Sequence, residues 1–245
     1  MSNYGIILAA GSGSRMNSNI KKQFMTLKGR PLVCHSLQTM QDSNIITDII
    51  VVTGADDLDY MRNDIIGSGN YGKVRTVVTG GAERYHSVMN GLEAVQKLRQ
   101  DRLKNDRTSD RAEDYVFIHD GARPRLTEDI IVRTYEAVRE VKAVTAAVKT
   151  KDTVKIAGPD DFVESTPDRR FVWNIQTPQV FEADLIYEAY SKLMDACNRD
   201  ESVQLTDDAM TVEMFTGRRV RLVEGSYENI KVTTPVDITF LESLE

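Results

Sequence analysis

The sequence predicts an α/β fold: a mostly parallel sheet with helices on both faces, and a β-hairpin arm projecting from it. Three observations carry this. Short apolar runs alternate with helical patterns along 245 residues, a glycine-rich loop follows the first run, and one later stretch has hairpin spacing with no helix beside it. The runs at 5–10, 48–53, 73–79, 115–119 and 144–148 are apolar or β-branched nearly throughout, as strands buried on both faces are. Between them, 31–40, 57–66, 87–98 and 128–141 repeat apolar residues at helical spacing; in the last, Ile130, Ile131, Tyr135 and Val138 share a face. The result is a Rossmann-like alternation. Ligands of such sheets gather at the carboxyl ends of the strands, so the loops after strands are where chemistry is expected.

Two stretches break the pattern. Residues 96–114 are crowded with charges of both signs and read as an extended helix end followed by a solvated loop. Residues 149–173 hold two β-prone runs, Asp152 to Ile156 and Phe162 to Glu164, around Gly158-Pro159-Asp160-Asp161, a turn signature. This is the arm. No repeat or linker divides the chain, so 1–245 is expected to be a single domain with the arm inserted in it.

Composition excludes several functions. The longest apolar runs span a handful of residues where a membrane helix needs roughly 20. The first residues carry no basic leader or cleavage site, and a cytoplasmic location is expected. Cys34 and Cys197 form no C-x-x-C pair and only His35, His86 and His119 could join them, so neither a disulfide framework nor a structural zinc site organises the chain. The net charge of −6 argues against a nucleic-acid partner. Its distribution is more telling: residues 1–41 hold Arg15, Lys21, Lys22, Lys28 and Arg30 with no Asp or Glu, which leaves the remainder at −11. An acidic protein with a wholly basic first segment suits a small polyanionic ligand.

That segment contains Leu8-Ala9-Ala10-Gly11-Ser12-Gly13-Ser14-Arg15-Met16, then Lys21-Lys22-Gln23-Phe24. A dinucleotide site would need a third glycine where Met16 stands and an acidic residue roughly 20 positions on; both are missing. A Walker loop needs Gly-Lys-Ser/Thr, which the chain never supplies. What remains is either a structural tight turn or a Gly-Ser loop whose amides, with Arg and Lys beyond them, cradle a triphosphate.

The loop resembles the signature of the sugar-nucleotidyltransferase superfamily, in particular its 2-C-methyl-D-erythritol 4-phosphate cytidylyltransferase family. Further matches follow in order: Gly80-Gly81-x-x-Arg84-x-x-Ser87-Val88, His119-Asp120-Gly121-Ala122-Arg123-Pro124, Asp152-Thr153-Val154-Lys155, Gln176-Thr177-Pro178-Gln179-Val180-Phe181, Thr206-Asp207-Asp208-Ala209 and Asn229 to Pro235. Each is weak alone; seven in register over nearly the whole chain are specific.

The resemblance implies transfer of a cytidylyl group from CTP to a sugar-alcohol phosphate, with Mg2+ or another divalent cation carried mostly by the CTP phosphates and Asp120 as its one protein contact. It makes Arg15, Lys22, Lys231 and Arg169 the catalytic set. CTP falls to Ala9, Ala10, Gly11 and Gly13 at the triphosphate, Gly81 and Ser87 at the base, and Asp120 and Gly121 at the ribose. The acceptor phosphate falls to Asp120, Arg123, Thr153, Arg169, Thr177 and Lys231. Thr153 and Arg169 would reach a partner's site across a twofold axis, so a homodimer joined through the arm is implied.

On the residues alone, Ser87 also reads as a helix N-cap, Asp207 and Asp208 as helix-start residues, His119 as a packed histidine, and 229–233 as a strand presenting Lys231. The chain departs from the family at Lys149-Thr150, usually Pro-Val, at Lys21, usually proline, and at Ala82 and His86, acidic in some relatives. Two other functions stay open. A ribitol-5-phosphate cytidylyltransferase shares the fold and chemistry but tends to carry Ala-Gly-Gly in the first loop, where this chain has Ala9-Ala10-Gly11. A silent nucleotide-binding scaffold would be expected to have lost Arg15, Lys22 or Lys231, and all three are present.

Overall fold

The computed structural model describes residues 1–11, 20–105, 113–199 and 203–244. Its centre is a seven-stranded sheet that includes β1 (Asn3–Ala9), β4 (Asp48–Thr53), β5 (Val74–Thr79), β6 (Tyr115–Asp120), β7 (Ala143–Lys149), β10 (Trp173–Glu182) and β11 (Arg221–Glu224). The strand order is β11-β7-β10-β6-β1-β4-β5, and only β10 runs antiparallel to its neighbours, β6 and β7. Small strands β2 (Thr26–Leu27) and β3 (Arg30–Pro31) pair separately.

Alternation along the central strands builds two cores. Ile7, Val51 and Phe117 face α1 (Leu32–Asp42) and α3 (Glu128–Val141), packing on Leu37, Met40, Ile130 and Ile131. Their neighbours Ile6, Ile50, Val52 and Val116 face the other way, onto Val88 and Leu92 of α2 (Arg84–Asn105) and Ile186, Tyr190 and Leu193 of α4 (Ala183–Asn198). With both faces covered, these strands have no solvent side to mark with polar residues, which is why they read as continuous apolar runs. Helices α5 (Asp208–Thr216) and α6 (Pro235–Ser243) complete the chain.

Three local expectations are corrected. Helix α2 starts at Arg84, so Ser87 sits inside its first turn and is not its N-cap. In place of one helix over 57–66 there is a turn at Ala55–Asp57 and then a wider π-helical segment, Tyr60–Ile66, closed by the Gly67 N–H on the Arg62 carbonyl at 2.9 Å. Lys231 stands on an irregular segment, because the β-branched run there leads into α6: Asp237 accepts from the N–H groups of Thr233 and Thr234 at 2.8 and 2.7 Å, leaving no ladder to form. The charged stretch does continue α2 to Asn105, with Arg99 paired to Asp114 and Asp184; its remainder, 106–112, lies outside the described residues.

The arm is a hairpin of β8 (Ile156–Ala157) and β9 (Val163–Ser165), a separate two-stranded sheet among the described residues. Asp161 occupies the left-handed region at φ 63°, as a tight turn here demands. Ile156, Phe162, Val163 and Phe171 are exposed, the two phenylalanines at 75% and 78%.

Candidate active site

A cavity of about 340 Å³ opens at the carboxyl ends of β1 and β6, lined by Leu8, Ala10, Gly11, Lys22, Gln23, Gly81, Ala82, Glu83, Arg84, Ser87, Asp120, Ala122 and Lys231. Each wall is set by a local bond. Gln23, fully buried, donates to the Ala9 carbonyl at 2.7 Å, which pins the turn Lys22–Phe24 against the end of β1 and brings Lys22 to the rim. On the opposite side the Ser87 hydroxyl oxygen accepts from the Gly81 N–H at 3.1 Å. Gly80 is required there: a Cβ would lie 2.4 Å from that of Ala10 and 2.6 Å from the Ser87 Oγ, so only glycine lets the two loops meet.

Asp120 is the electrostatic centre. Its carboxylate lies 2.8 Å from the Lys231 ammonium, 3.7 Å from Arg84 and 3.8 Å from Arg123. Burial alone would raise its pKa; Lys231, Arg84 and Arg123 together outweigh that and hold it well below the usual carboxylate range. Lys231 is fixed from behind by the Val232 N–H on the Ala122 carbonyl at 2.9 Å.

Beneath Asp120 lies a buried polar relay. The His119 Nε2 sits 3.1 Å from the Arg123 carbonyl, which can only accept, so Nε2 carries the proton and Nδ1 accepts from the Thr177 hydroxyl at 3.0 Å. The Thr177 oxygen in turn accepts from the Asp120 N–H at 3.1 Å. Burial pushes the His119 pKa down to about 4, so the ring is neutral. Arg123 is braced by the Asn229 carbonyl at 2.8 Å.

A second buried group flanks the cavity. Arg84 makes paired bonds of 2.6 and 2.8 Å to Asp208, which is wholly buried and also accepts from the Tyr190 hydroxyl at 2.6 Å. Burial would lower the Arg84 pKa, yet Asp208 keeps it well above the usual guanidinium value. Asp207 does serve as the cap of α5, accepting from the Met210 N–H at 2.9 Å. Asp208 is the first residue of α5, as expected, and is held in addition by Arg84, a partner 124 positions away.

Of the residues singled out in the sequence, Ala10, Gly11, Lys22, Gly81, Ser87, Asp120 and Lys231 line this one cavity. Ala9 is buried just beneath, and Gly121 is buried with its N–H on the Leu8 carbonyl at 2.9 Å. Thr177, also buried, meets the relay and not the cavity lining. Thr153 and Arg169 are exposed in the arm region, away from the lining, and Gly13 and Arg15 lie outside the described residues. Among the described residues no group of three or more His, Cys, Asp or Glu side chains could hold a metal ion, and no helix is long and apolar enough to cross a membrane.

The family model for 2-C-methyl-D-erythritol 4-phosphate cytidylyltransferase matches residues 4–244. The chain belongs to that family. Among curated cytidylyltransferases of this name, one from Lachnospira eligens is 42% identical over 236 residues, 96% of each chain, and one from Lachnoclostridium phytofermentans is 43% identical over 239 residues, 98% of this chain and 94% of the relative. The solved structure of a 4-diphosphocytidyl-2C-methyl-D-erythritol synthase from Anaerococcus prevotii superposes with a TM-score of 0.80 at 36% identity, covering 98% of this chain and 94% of its own. Membership in the cytidylyltransferase family, with identity across nearly the whole chain, decides against the ribitol phosphate and silent-scaffold alternatives.

Proposed function

We propose that the strand-end cavity is where this cytidylyltransferase joins CTP to 2-C-methyl-D-erythritol 4-phosphate in the non-mevalonate isoprenoid pathway. A phosphate oxygen of the acceptor attacks the α-phosphorus of CTP. The bond from that phosphorus to the bridging oxygen breaks, and its electron pair leaves on pyrophosphate as 4-diphosphocytidyl-2-C-methyl-D-erythritol forms. Two anions must meet, so the protein's work is alignment and charge neutralisation more than covalent chemistry. The observation that carries this reading is the convergence of Lys22, Lys231 and the Ala10–Gly11 backbone on one cavity whose far wall is Gly81 and Ser87.

In this reading Lys22, with Arg15, stabilises the departing pyrophosphate, and the amides of Ala10, Gly11 and Gly13 hold the triphosphate. Gly81 and Ser87 receive the cytosine, and Asp120 with Gly121 borders the ribose. Lys231, held by Asp120, meets the phosphate under attack, while Arg123 orients the acceptor. Thr177 acts from below, through His119 and the Asp120 backbone. Asp120 and Glu83 are the carboxylates of the cavity lining, and Asp120 would hold a divalent cation together with oxygens of the triphosphate. When bound, it withdraws charge from the triphosphate oxygens.

Thr153 and Arg169 complete the acceptor site of a second copy. The exposed apolar side chains of the arm, left open to solvent among the described residues, support a homodimer. The free thiols Cys34 and Cys197 accord with a cytoplasmic setting.

The test is pyrophosphate release with CTP and magnesium, comparing 2-C-methyl-D-erythritol 4-phosphate with D-ribitol 5-phosphate. Preference for the first by about a hundredfold, the scale that a few acceptor contacts can supply, is expected. Equal or reversed preference would overturn the acceptor assignment, and release with neither would overturn the activity.

A further inference from the structure

Lys22 stands in a single short turn, Lys22–Phe24, closed by Phe24 N–H on the Lys21 carbonyl at 2.9 Å and Met25 N–H on the Lys22 carbonyl at 3.1 Å. One such turn has little stability of its own, so its position is dictated by what its side chains grip. Among the described residues, three side-chain contacts reach three different elements. Gln23 holds the end of β1. Phe24 packs edge-on against Tyr60 of the π-helical segment, ring centres 5.1 Å apart. Lys21 reaches the Asp57 carboxylate at 2.6 Å, in the turn that follows β4.

We propose that the Lys21–Asp57 ion pair is a positioning contact for the reaction, one that sets the height of Lys22 over the cavity. The inference rests on the reading that Lys22 acts on the triphosphate. The pair is half-buried, with side-chain exposures of 33% and 16%, so solvent weakens it less than an ordinary surface pair. It is also seated tightly: a Cβ on Gly54 would lie 2.7 Å from the Asp57 Oδ2 and 3.3 Å from the Lys21 Nζ. The backbone of Lys21, at φ −62° and ψ 137°, is one that a proline ring would fix covalently. In this chain the lysine supplies by charge a restraint that proline would supply by its ring.

The Gly54 contact gives a way to displace the pair while keeping both charges. Gly54 has φ −63° and ψ 151°, open to any residue, so Gly54→Ala moves the carboxylate without straining the backbone. The expected result is that Lys21→Ala, Asp57→Asn and Gly54→Ala each lower kcat about tenfold, as a sub-ångström misplacement of a phosphate-binding cation does. The Michaelis constant for the acceptor should stay within about twofold and the melting temperature within about 3 °C. Lys21→Ala combined with Asp57→Asn should be no worse than either alone, and Lys21→Pro should retain most of the wild-type kcat.

Wild-type kcat in Lys21→Ala, additive effects in the double variant, or Lys21→Pro as slow as Lys21→Ala would each overturn the inference. Lys22→Ala, run in parallel, separates the two readings. If its kcat is unchanged, the role of Lys22 fails and this inference fails with it. If its kcat collapses while Lys21→Ala turns over normally, only the inference fails.

Discussion

The strand-end cavity and the arm are built on opposite terms. Around the cavity, polar and charged groups are buried and answered inside the chain: Asp120 by Lys231, His119 by Thr177 and the Arg123 carbonyl, and Asp208 by Arg84 and Tyr190. In the arm, Phe162, Val163 and Phe171 face solvent, and Thr153 and Arg169 stand exposed beside them. Buried charges must be paired where they are, so these side chains are set as soon as the chain folds. Exposed phenylalanines beside an exposed arginine describe a part that is finished by something else. The contrast predicts that changes in the cavity damage stability or turnover of each chain by itself, whereas changes in the arm damage only substrate binding between chains.

The largest effect is expected at Asp208. Asp208→Ala leaves the buried Tyr190 hydroxyl without its partner and the half-buried Arg84 guanidinium with Asp120, at 3.7 Å, to answer it, which costs about 3 kcal/mol, the low end for a broken buried pair. Denaturant unfolding should show that loss, and turnover should fall with it because Arg84 also borders Asp120. A loss below about 1 kcal/mol would mean that the pair is a surface-like contact. Next comes Lys22→Ala, whose kcat should drop about a thousandfold, the scale of removing one charge-stabilising donor, at nearly unchanged melting temperature. An unchanged rate would remove Lys22 from the mechanism.

The same contrast explains what could be read in the sequence. Strands β1, β4, β6 and β7 were legible because burial on both faces leaves an unbroken apolar run, and α3 because Ile130, Ile131 and Val138 repeat at helical spacing. The arm was legible from its turn, since Gly158 to Asp161 carries local turn chemistry. Long-range pairing was not. Nothing near Arg84 announces Asp208, and nothing near Lys21 announces Asp57, because the partner in each case is chosen by the crossing of distant elements. The start of α2 was misplaced for a related reason: Arg84 lines the cavity, and Tyr85 and His86 are only partly buried, so the fully buried apolar repeat begins at Val88.

His119 gives the third prediction. Its ring is neutral in the fold with a pKa of about 4, against 6.5 when unfolded, so between these values the unfolded chain binds a proton that the folded chain refuses. Its contribution is therefore complete above about pH 6.5 and is lost as the pH falls toward 4, amounting to about 3 kcal/mol at the end of that window. Asp120, also depressed, begins to lose its contribution only below its ordinary carboxylate value, so the two windows are separate. In His119→Asn the slope of unfolding free energy against pH should flatten by one proton's worth, about 1.4 kcal/mol per pH unit, between pH 6 and 4.5. Identical slopes would show that the histidine is hydrated and titrates freely.

The smallest effect on a single chain, and the sharpest on the comparison, is expected at Arg169. Arg169→Ala should raise the Michaelis constant for the acceptor phosphate about thirtyfold, in keeping with one lost hydrogen bond to a charged group, and leave that for CTP nearly as it was. The decisive form mixes two damaged proteins at low acceptor concentration. If the arm serves the other chain, a hybrid of Lys22→Ala and Arg169→Ala puts both defects into one site and leaves the other intact, since the Arg169→Ala chain keeps its lysine and borrows a sound arm. Random exchange makes half of the dimers hybrids, so activity should recover to about a quarter of wild type. If the arm folds back on its own cavity, every site keeps one defect and mixing recovers nothing. The cavity and the arm would then be one region, and the exposed phenylalanines would need another partner.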